Sequence, residues 1–113
     1  MAEERFFQSF RQEWQSAQVR SRVQGKYTAI KYSESNHAVS FAYGHNLCDW
    51  VNLPNSLQVK NFPNKMVMEN NGYVKPTTIT LYSTVEHCEY QIVVQMARGE
   101  YDVKKSTRVR DGG

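Results

Sequence analysis

Two histidine–cysteine pairs are the residues whose types and spacing could do chemistry. His45 and Cys48 are separated by two residues, and His87 is followed directly by Cys88. Imidazole and thiolate groups are ligands of tetrahedral zinc, which takes four of them. The second pair argues against such a site, because adjacent residues of a strand point to opposite faces of a sheet. We expect Cys88 to be a small core residue, His87 to lie at the surface, and the protein to bind no metal.

Cys48 is the candidate nucleophile, since His45 and Asp49 lie close to it in the sequence. Thiol–imidazole catalysis needs a histidine within hydrogen-bond reach of the sulfur and an orienting carboxylate or amide. No glycine-flanked cysteine at a helix start is present, no two carboxylates are fixed at a working distance, and no glycine-rich loop could hold a phosphate. A partly buried thiol beside Trp50 explains Cys48 better. We therefore expect no catalytic residues, no cofactor and no enzymatic activity.

Tyrosines and basic residues recur together in the strand-like parts of the chain. Aromatic rings on a sheet face can stack on bases while nearby cations contact phosphates. Basic clusters also follow the first predicted helix and end the chain, and the formal net charge is +3. The pattern slightly favours a binder of single-stranded DNA or RNA. Its predicted contacts are Lys26, Tyr27, Lys31, Tyr32, Lys104, Lys105, Arg108 and Arg110.

A protein-binding regulator or inhibitor is the alternative. Open sheet faces also bind proteins, and tyrosine, tryptophan and arginine dominate the energy of such interfaces. Such a protein would act through an edge strand, through the loop around Trp50 or through the N-terminal helix, as a monomer or as a homodimer.

An N-terminal amphipathic helix is predicted over residues 3–20. Four aromatics and one alanine fall on one side of it at helical spacing, and the opposite side is polar: Phe6, Phe7, Phe10, Trp14 and Ala17. Glycine can adopt the left-handed conformation that ends helices, so Gly25 is the expected stop. A polar residue at position 21 suggests that the buried stripe ends before it. The aromatic side must pack against a sheet.

The remaining chain is predicted to form short antiparallel strands. Alternating and β-branched residues indicate strands at 26–33, 37–43, 57–60, 65–69, 73–75, 77–83, 88–97 and 101–104. Asn71-Gly72 favours a type I′ turn, and the rest of 44–63 is interpreted as a loop. No internal repeat is apparent. The predicted fold is α+β, with the helix packed on a curved antiparallel sheet of five to six strands. Residues 1–105 would form a single domain and 106–113 a flexible basic tail.

Composition limits the class of protein. The 113 residues, with 40% hydrophobic content, suffice for a folded core without metal or disulfide support. No apolar run approaches the roughly 20 residues that span a bilayer, so we expect no membrane association. The acidic N-terminus lacks the features of a secretory signal. These observations predict a cytoplasmic protein with free thiols at both cysteines.

Overall fold

The computed structural model describes residues 2–44, 47–95 and 100–106. Helix α1 is followed by strands that form two antiparallel sheets of four strands each. Sheet A has the order β3-β2-β1-β5 and sheet B the order β4-β6-β7-β8. The bounds are α1 (Ala2–Gln24), β1 (Thr28–Ser33), β2 (Ala38–Ala42), β3 (Cys48–Asn52), β4 (Leu57–Asn61), β5 (Met66–Met68), β6 (Thr78–Ser83), β7 (Cys88–Val94) and β8 (Tyr101–Ser106).

The predicted α+β class is confirmed, but the strands form two sheets instead of one. The strands also include β3, which lies in a segment interpreted as a loop because proline and asparagine interrupt it. β3 pairs with β2 in a continuous antiparallel register from Ala38↔Asn52 to Ala42↔Cys48. Tertiary pairing therefore outweighs the weak strand propensity of asparagine and aspartate in this segment.

The aromatic stripe of α1 forms the centre of the core, as predicted. Phe6, Phe10, Trp14 and Ala17 are each no more than 3% exposed. The ring of Phe10 lies 5.6 Å from that of Phe41 in sheet A and 5.5 Å from that of Tyr101 in sheet B. The stripe therefore packs against both sheets and joins them into one core.

The helix extends one turn beyond its predicted end. It stops at Gln24, and Gly25 follows with a φ of 66°. The backbone N–H of Gly25 donates to the carbonyl of Ser21 at 2.8 Å. Ser21 is fully buried, so the prediction that the buried stripe ends before it is wrong. A serine is small enough to continue the stripe where the helix leaves the sheets.

The turn at residues 69–72 differs from the predicted type I′ geometry. The N–H of Gly72 donates to the carbonyl of Glu69 at 2.8 Å, and Gly72 has a φ of 83°. Asn71 has no positive φ, and its side-chain oxygen accepts from the N–H of Tyr73 at 3.0 Å. The turn is therefore of the type I kind, followed by glycine in the left-handed region. The side chains of Gln18 and Arg22 donate to its carbonyls.

The two sheets contain related hairpins. The sequence Tyr-Ser-x-x-x-His begins at Tyr32 in the β1–β2 hairpin and again at Tyr82 in the β6–β7 hairpin. His37 and His87 have φ values of 50° and 55°, and they are the non-glycine residues with positive φ in the described ranges. We call β1–β2–β3 meander A and β6–β7–β8 meander B. The chain thus contains a six-residue repeat, and the prediction of no internal repeat is wrong for these two hairpins.

Two further expectations fall partly outside the described residues. The predicted strand 88–97 is observed over Cys88–Val94, and residues 96–99 are not described. Ser106 ends β8, and the rest of the predicted tail lies beyond the described ranges. No helix in those ranges has both the length and the hydropathy required to cross a bilayer.

Candidate functional site

The candidate metal and nucleophile residues are separated. Cys48 lies in β3 of sheet A, whereas Cys88 lies in β7 of sheet B and is 1% exposed. His87 occupies an exposed turn position, as expected, and His45 is outside the described residues. Within those residues no three or more histidine, cysteine, aspartate or glutamate side chains form a group that could hold a metal. The absence of metal and of catalysis stays a prediction.

The predicted nucleic-acid contacts near β1 do not share a face. Lys31 is exposed on the outer face of sheet A, and Tyr27 precedes the strand with 57% exposure. Tyr32 points the other way, because neighbouring strand residues alternate. Its hydroxyl is 2.9 Å from Nδ1 of His37, and its ring packs on Phe62. Burial, with the nearby charge of Glu34, raises the pKa of Tyr32. The Tyr32 ring therefore makes its contacts within the protein. Lys26, two residues before the start of β1, is exposed.

The basic residues of β8 are also divided. Lys104 and Lys105 are neighbours in an edge strand of sheet B and point to opposite faces. The Lys105 ammonium is 2.6 Å from the Glu86 carboxylate and 5.7 Å from the ring centre of Tyr90. Hydrogen bonding to Lys105 lowers the pKa of Glu86. Arg108 and Arg110 lie outside the described residues.

The edge strands are the places where a sheet can accept another chain, because their outer backbone groups are unpaired. Three of the four edges carry features that discourage pairing. β4 has an irregular register between Val59 and Asn61 with Lys60 between them, and β5 is only three residues long. β8 contains Asp102, Lys104 and Lys105.

β3 is the edge strand without such protection. Its outward side chains, Cys48, Trp50 and Asn52, are uncharged. Its one charged residue, Asp49, turns towards the helix, where it adds to the effect of burial in raising the pKa of Glu13. β3 therefore presents a regular, neutral edge.

The ladder between β2 and β3 shows which backbone groups are open. The N–H of Leu53 donates to the carbonyl of His37 and the N–H of Tyr43 to that of Leu47, both at 2.9 Å. Alternate residues pair in an antiparallel ladder, so the odd-numbered residues of β3 face β2. The N–H and C=O groups of Trp50 and Asn52 face the opposite side.

A groove of about 390 Å³ runs between this edge and the first half of α1. Phe6 and Val51, both buried, lie at its base, and Trp50, which is 48% exposed, forms one wall. The helix contributes Arg5 and Ser9, which are both exposed. Further lining residues are Ala2, Asn52, Leu53 and Pro54.

A polar cluster fixes β3 on the helix beyond the groove. Burial raises the pKa of Glu13 to about 7, assisted by hydrogen bonding to Asp49 and by its negative charge. A carboxylic acid at Glu13 can donate to the Asp49 carboxylate, which is also hydrogen-bonded by Tyr43. The Arg20 guanidinium lies 3.5 Å from the centre of the Tyr43 ring. These contacts hold β3 against the same helix that forms the other side of the groove.

Comparison with known proteins gives a fold relationship. No protein-family model matches the chain, and no curated protein matches it. The solved structure of the minor pseudopilin EpsH from the Type 2 Secretion System of Vibrio cholerae matches with a TM-score of 0.66. The two chains are 12% identical over 92% of this chain and 97% of the other. At this identity the likeness concerns the fold.

The prediction of a nucleic-acid binder is wrong. The solved structure that shares the fold is a pseudopilin of a secretion system, which does not fit that class. The geometry gives the physical reason: β1 and β8 belong to different sheets, and Tyr32 and Lys105 are bonded internally. The protein-binding alternative agrees better with both observations.

The open edge of β3 was missed at the sequence level. Cys48, Trp50 and Asn52 alternate with Asp49 and Val51, between a glycine and a proline that could have marked the ends of a strand. That weak alternation is the signal that could have identified it.

Proposed function

We propose that this chain is a non-enzymatic protein-interaction domain that serves as a subunit of a protein assembly. The observation that carries the proposal is the likeness to a minor pseudopilin over nearly the whole of both chains. A shared fold does not by itself transfer a function, so the surface must support it independently.

The β3 edge and its surroundings give that support. Tryptophan is highly buried on average, and it is enriched among the residues that dominate the binding energy of protein interfaces. Trp50 stands beside unpaired backbone groups and an apolar-based groove. These are the features of a surface that binds another polypeptide.

The proposal is tested by chemical cross-linking in the cells that make this protein, with the tagged chain at its natural level. We expect a covalent complex of defined mass, larger than the 13.1 kDa chain, containing the same partner in every replicate. Trp50→Asp should reduce its yield, whereas Val85→Asp should not, although Val85 is 60% exposed. Recovery of the chain only as a free 13.1 kDa species would contradict the proposal.

A further inference from the structure

The open edge of β3 points to a particular mode of binding. We infer that it accepts one extended segment of a partner protein, which adds as a strand beside β3 and places an acidic side chain against Arg5. This inference rests on the proposed function and names its contact surface.

The backbone supplies the first reason. An incoming strand bonds to N–H and C=O groups that point away from the existing ladder. Trp50 and Asn52 present such groups, and no described residue bonds to them. Because only alternate residues bond to an added strand, pairing with both Trp50 and Asn52 requires a partner segment of about four residues in extended conformation, at roughly 3.3 Å per residue.

The groove supplies the second reason. Trp50, Val51 and Asn52, which point alternately to the two faces of the sheet, line it together with Leu53 and Pro54 just after β3. The groove therefore follows the edge of the strand instead of lying under one face of the sheet. The helix closes its other side through Arg5 and Ser9. Because the groove is bounded on both sides, a single extended chain fits it more readily than the edge of a second folded domain does.

Charge supplies the third reason and defines the chemistry of the occupant. Arg5 has no ion pair within the described ranges. The carboxylate of Glu3, two residues earlier in the helix, accepts hydrogen bonds from Ser56 and Ser83 instead. Arginine pairs well with carboxylates through two parallel hydrogen bonds. The base, formed by Phe6 and Val51, favours an apolar side chain next to the acidic one.

The test uses the purified full chain and a library of short random peptides displayed on phage. We expect enrichment of peptides that combine an acidic with an apolar residue. In nuclear magnetic resonance spectra the best peptide should shift signals of residues 48–54 and 2–9. The amide protons of Trp50 and Asn52 should exchange quickly in the free protein and slowly in the complex.

Two matched pairs of variants isolate the two interactions. Asn52→Pro removes an N–H from the open edge without removing a ladder bond, and should weaken peptide binding about tenfold or more; Asn52→Ala keeps that N–H and should change binding by about twofold or less. Arg5→Glu should abolish the preference for acidic peptides, while Lys31→Glu, on the outer face of sheet A, should not. The exchange measurement decides the question even if Asn52→Pro fails to fold.

Several results would overturn the inference. These are the absence of enriched peptides, signal shifts elsewhere on the protein, unchanged exchange at Trp50 and Asn52, or self-association through β3 in place of peptide binding. A cellular complex that cross-links normally with Asn52→Pro would leave the proposed function intact and remove this contact. Peptide addition at β3 without any cellular complex would support the contact and contradict the proposed function.

Discussion

Meander A and meander B contain the same turn sequence but fix it to the rest of the protein in different ways. In meander A the anchor is a histidine: the ring of His37 lies 2.9 Å from the Tyr32 hydroxyl and 2.8 Å from the Leu57 carbonyl. In meander B the anchor is a serine: Ser83 Oγ lies 2.9 and 3.0 Å from the two carboxylate oxygens of Glu3. Among the described residues, the equivalent Ser33 bonds only to its neighbours Ser35 and Asn36, and no side-chain hydrogen bond involves the ring of His87.

The difference arises from which face of each hairpin meets the core. Thr28 and Ile30 are the buried positions in β1, whereas Ile79, Leu81 and Ser83 are buried in β6. The aligned positions therefore have opposite orientations, because side chains alternate across a strand. The motif determines the local turn, and packing determines which of its side chains becomes the anchor. This explains why a sequence motif alone does not identify a functional residue here.

The largest effect that follows is on Ser83. Ser83→Ala removes a donor to the buried Glu3 carboxylate and an acceptor for the N–H of Glu86. Hydrogen bonds to charged groups contribute about 1.5–3 kcal/mol, so the free energy of unfolding should fall by about 2 kcal/mol. Ser33→Ala, the equivalent change in meander A, should lower it by less than about 0.5 kcal/mol. Urea denaturation measures both, and equal losses would refute the distinction.

The histidines should show the reverse asymmetry. His37→Ala removes a ring that links meander A to the start of β4, and should lower the free energy of unfolding by about 1–2 kcal/mol. His87→Ala occurs at the same left-handed backbone conformation but removes an exposed ring, so it should cost about 0.5 kcal/mol or less. The backbone effect cancels in the comparison. A larger loss for His87→Ala in urea denaturation would show that the anchors are wrongly assigned.

The sheets also differ in how they contact the helix carboxylates. Glu3 accepts hydrogen bonds from Ser83 in sheet B and from Ser56 just before β4. On the side of sheet A, burial raises the pKa of Glu13 from 4.5 to about 7, assisted by the hydrogen bond and charge of Asp49. Because the folded pKa exceeds the unfolded one, the protonated form favours folding. This contribution is complete below about pH 4.5 and is lost as the pH rises through about 7.

Glu13→Gln should remove that pH dependence while keeping a donor for Asp49. At pH 8 the variant should be more stable than the natural chain by about 1 kcal/mol, a value that allows for solvent screening. At pH 4 the two should differ little. Urea denaturation at both pH values measures the effect, with Glu69→Gln in an exposed turn as the control. A pH profile unchanged by Glu13→Gln would mean that Asp49 and Glu13 do not share a proton.

The strongly periodic parts of the sequence predicted the helix and most strands correctly. The open edge of β3 was missed because its alternation is weak. The aromatic stripe through Phe10 and Trp14 identified the helix and its core face, because large apolar residues at helical spacing have few alternatives. β3 was missed since its stability derives from pairing with β2, a long-range property. The nucleic-acid contacts assigned to Tyr32 and Lys105 stay predictions, but each side chain has a partner within the chain that its residue type does not reveal. Only the fold shows that Tyr32 is hydrogen-bonded to His37 and that Lys105 forms an ion pair with Glu86.

The smallest effect concerns the backbone of the two turns. A residue with a side chain is disfavoured at the φ of 55° that His87 adopts, and glycine is not. His87→Gly should therefore raise the free energy of unfolding by about 0.5 kcal/mol, after subtracting the greater freedom of glycine in the unfolded chain. His37→Gly gains the same backbone relief but loses the ring contacts, so it should lower stability. The sign of the change in thermal unfolding thus separates a histidine that only occupies a turn from one that anchors it. If His37→Gly also stabilised the protein, His37 would be a residue that only occupies its turn, like His87.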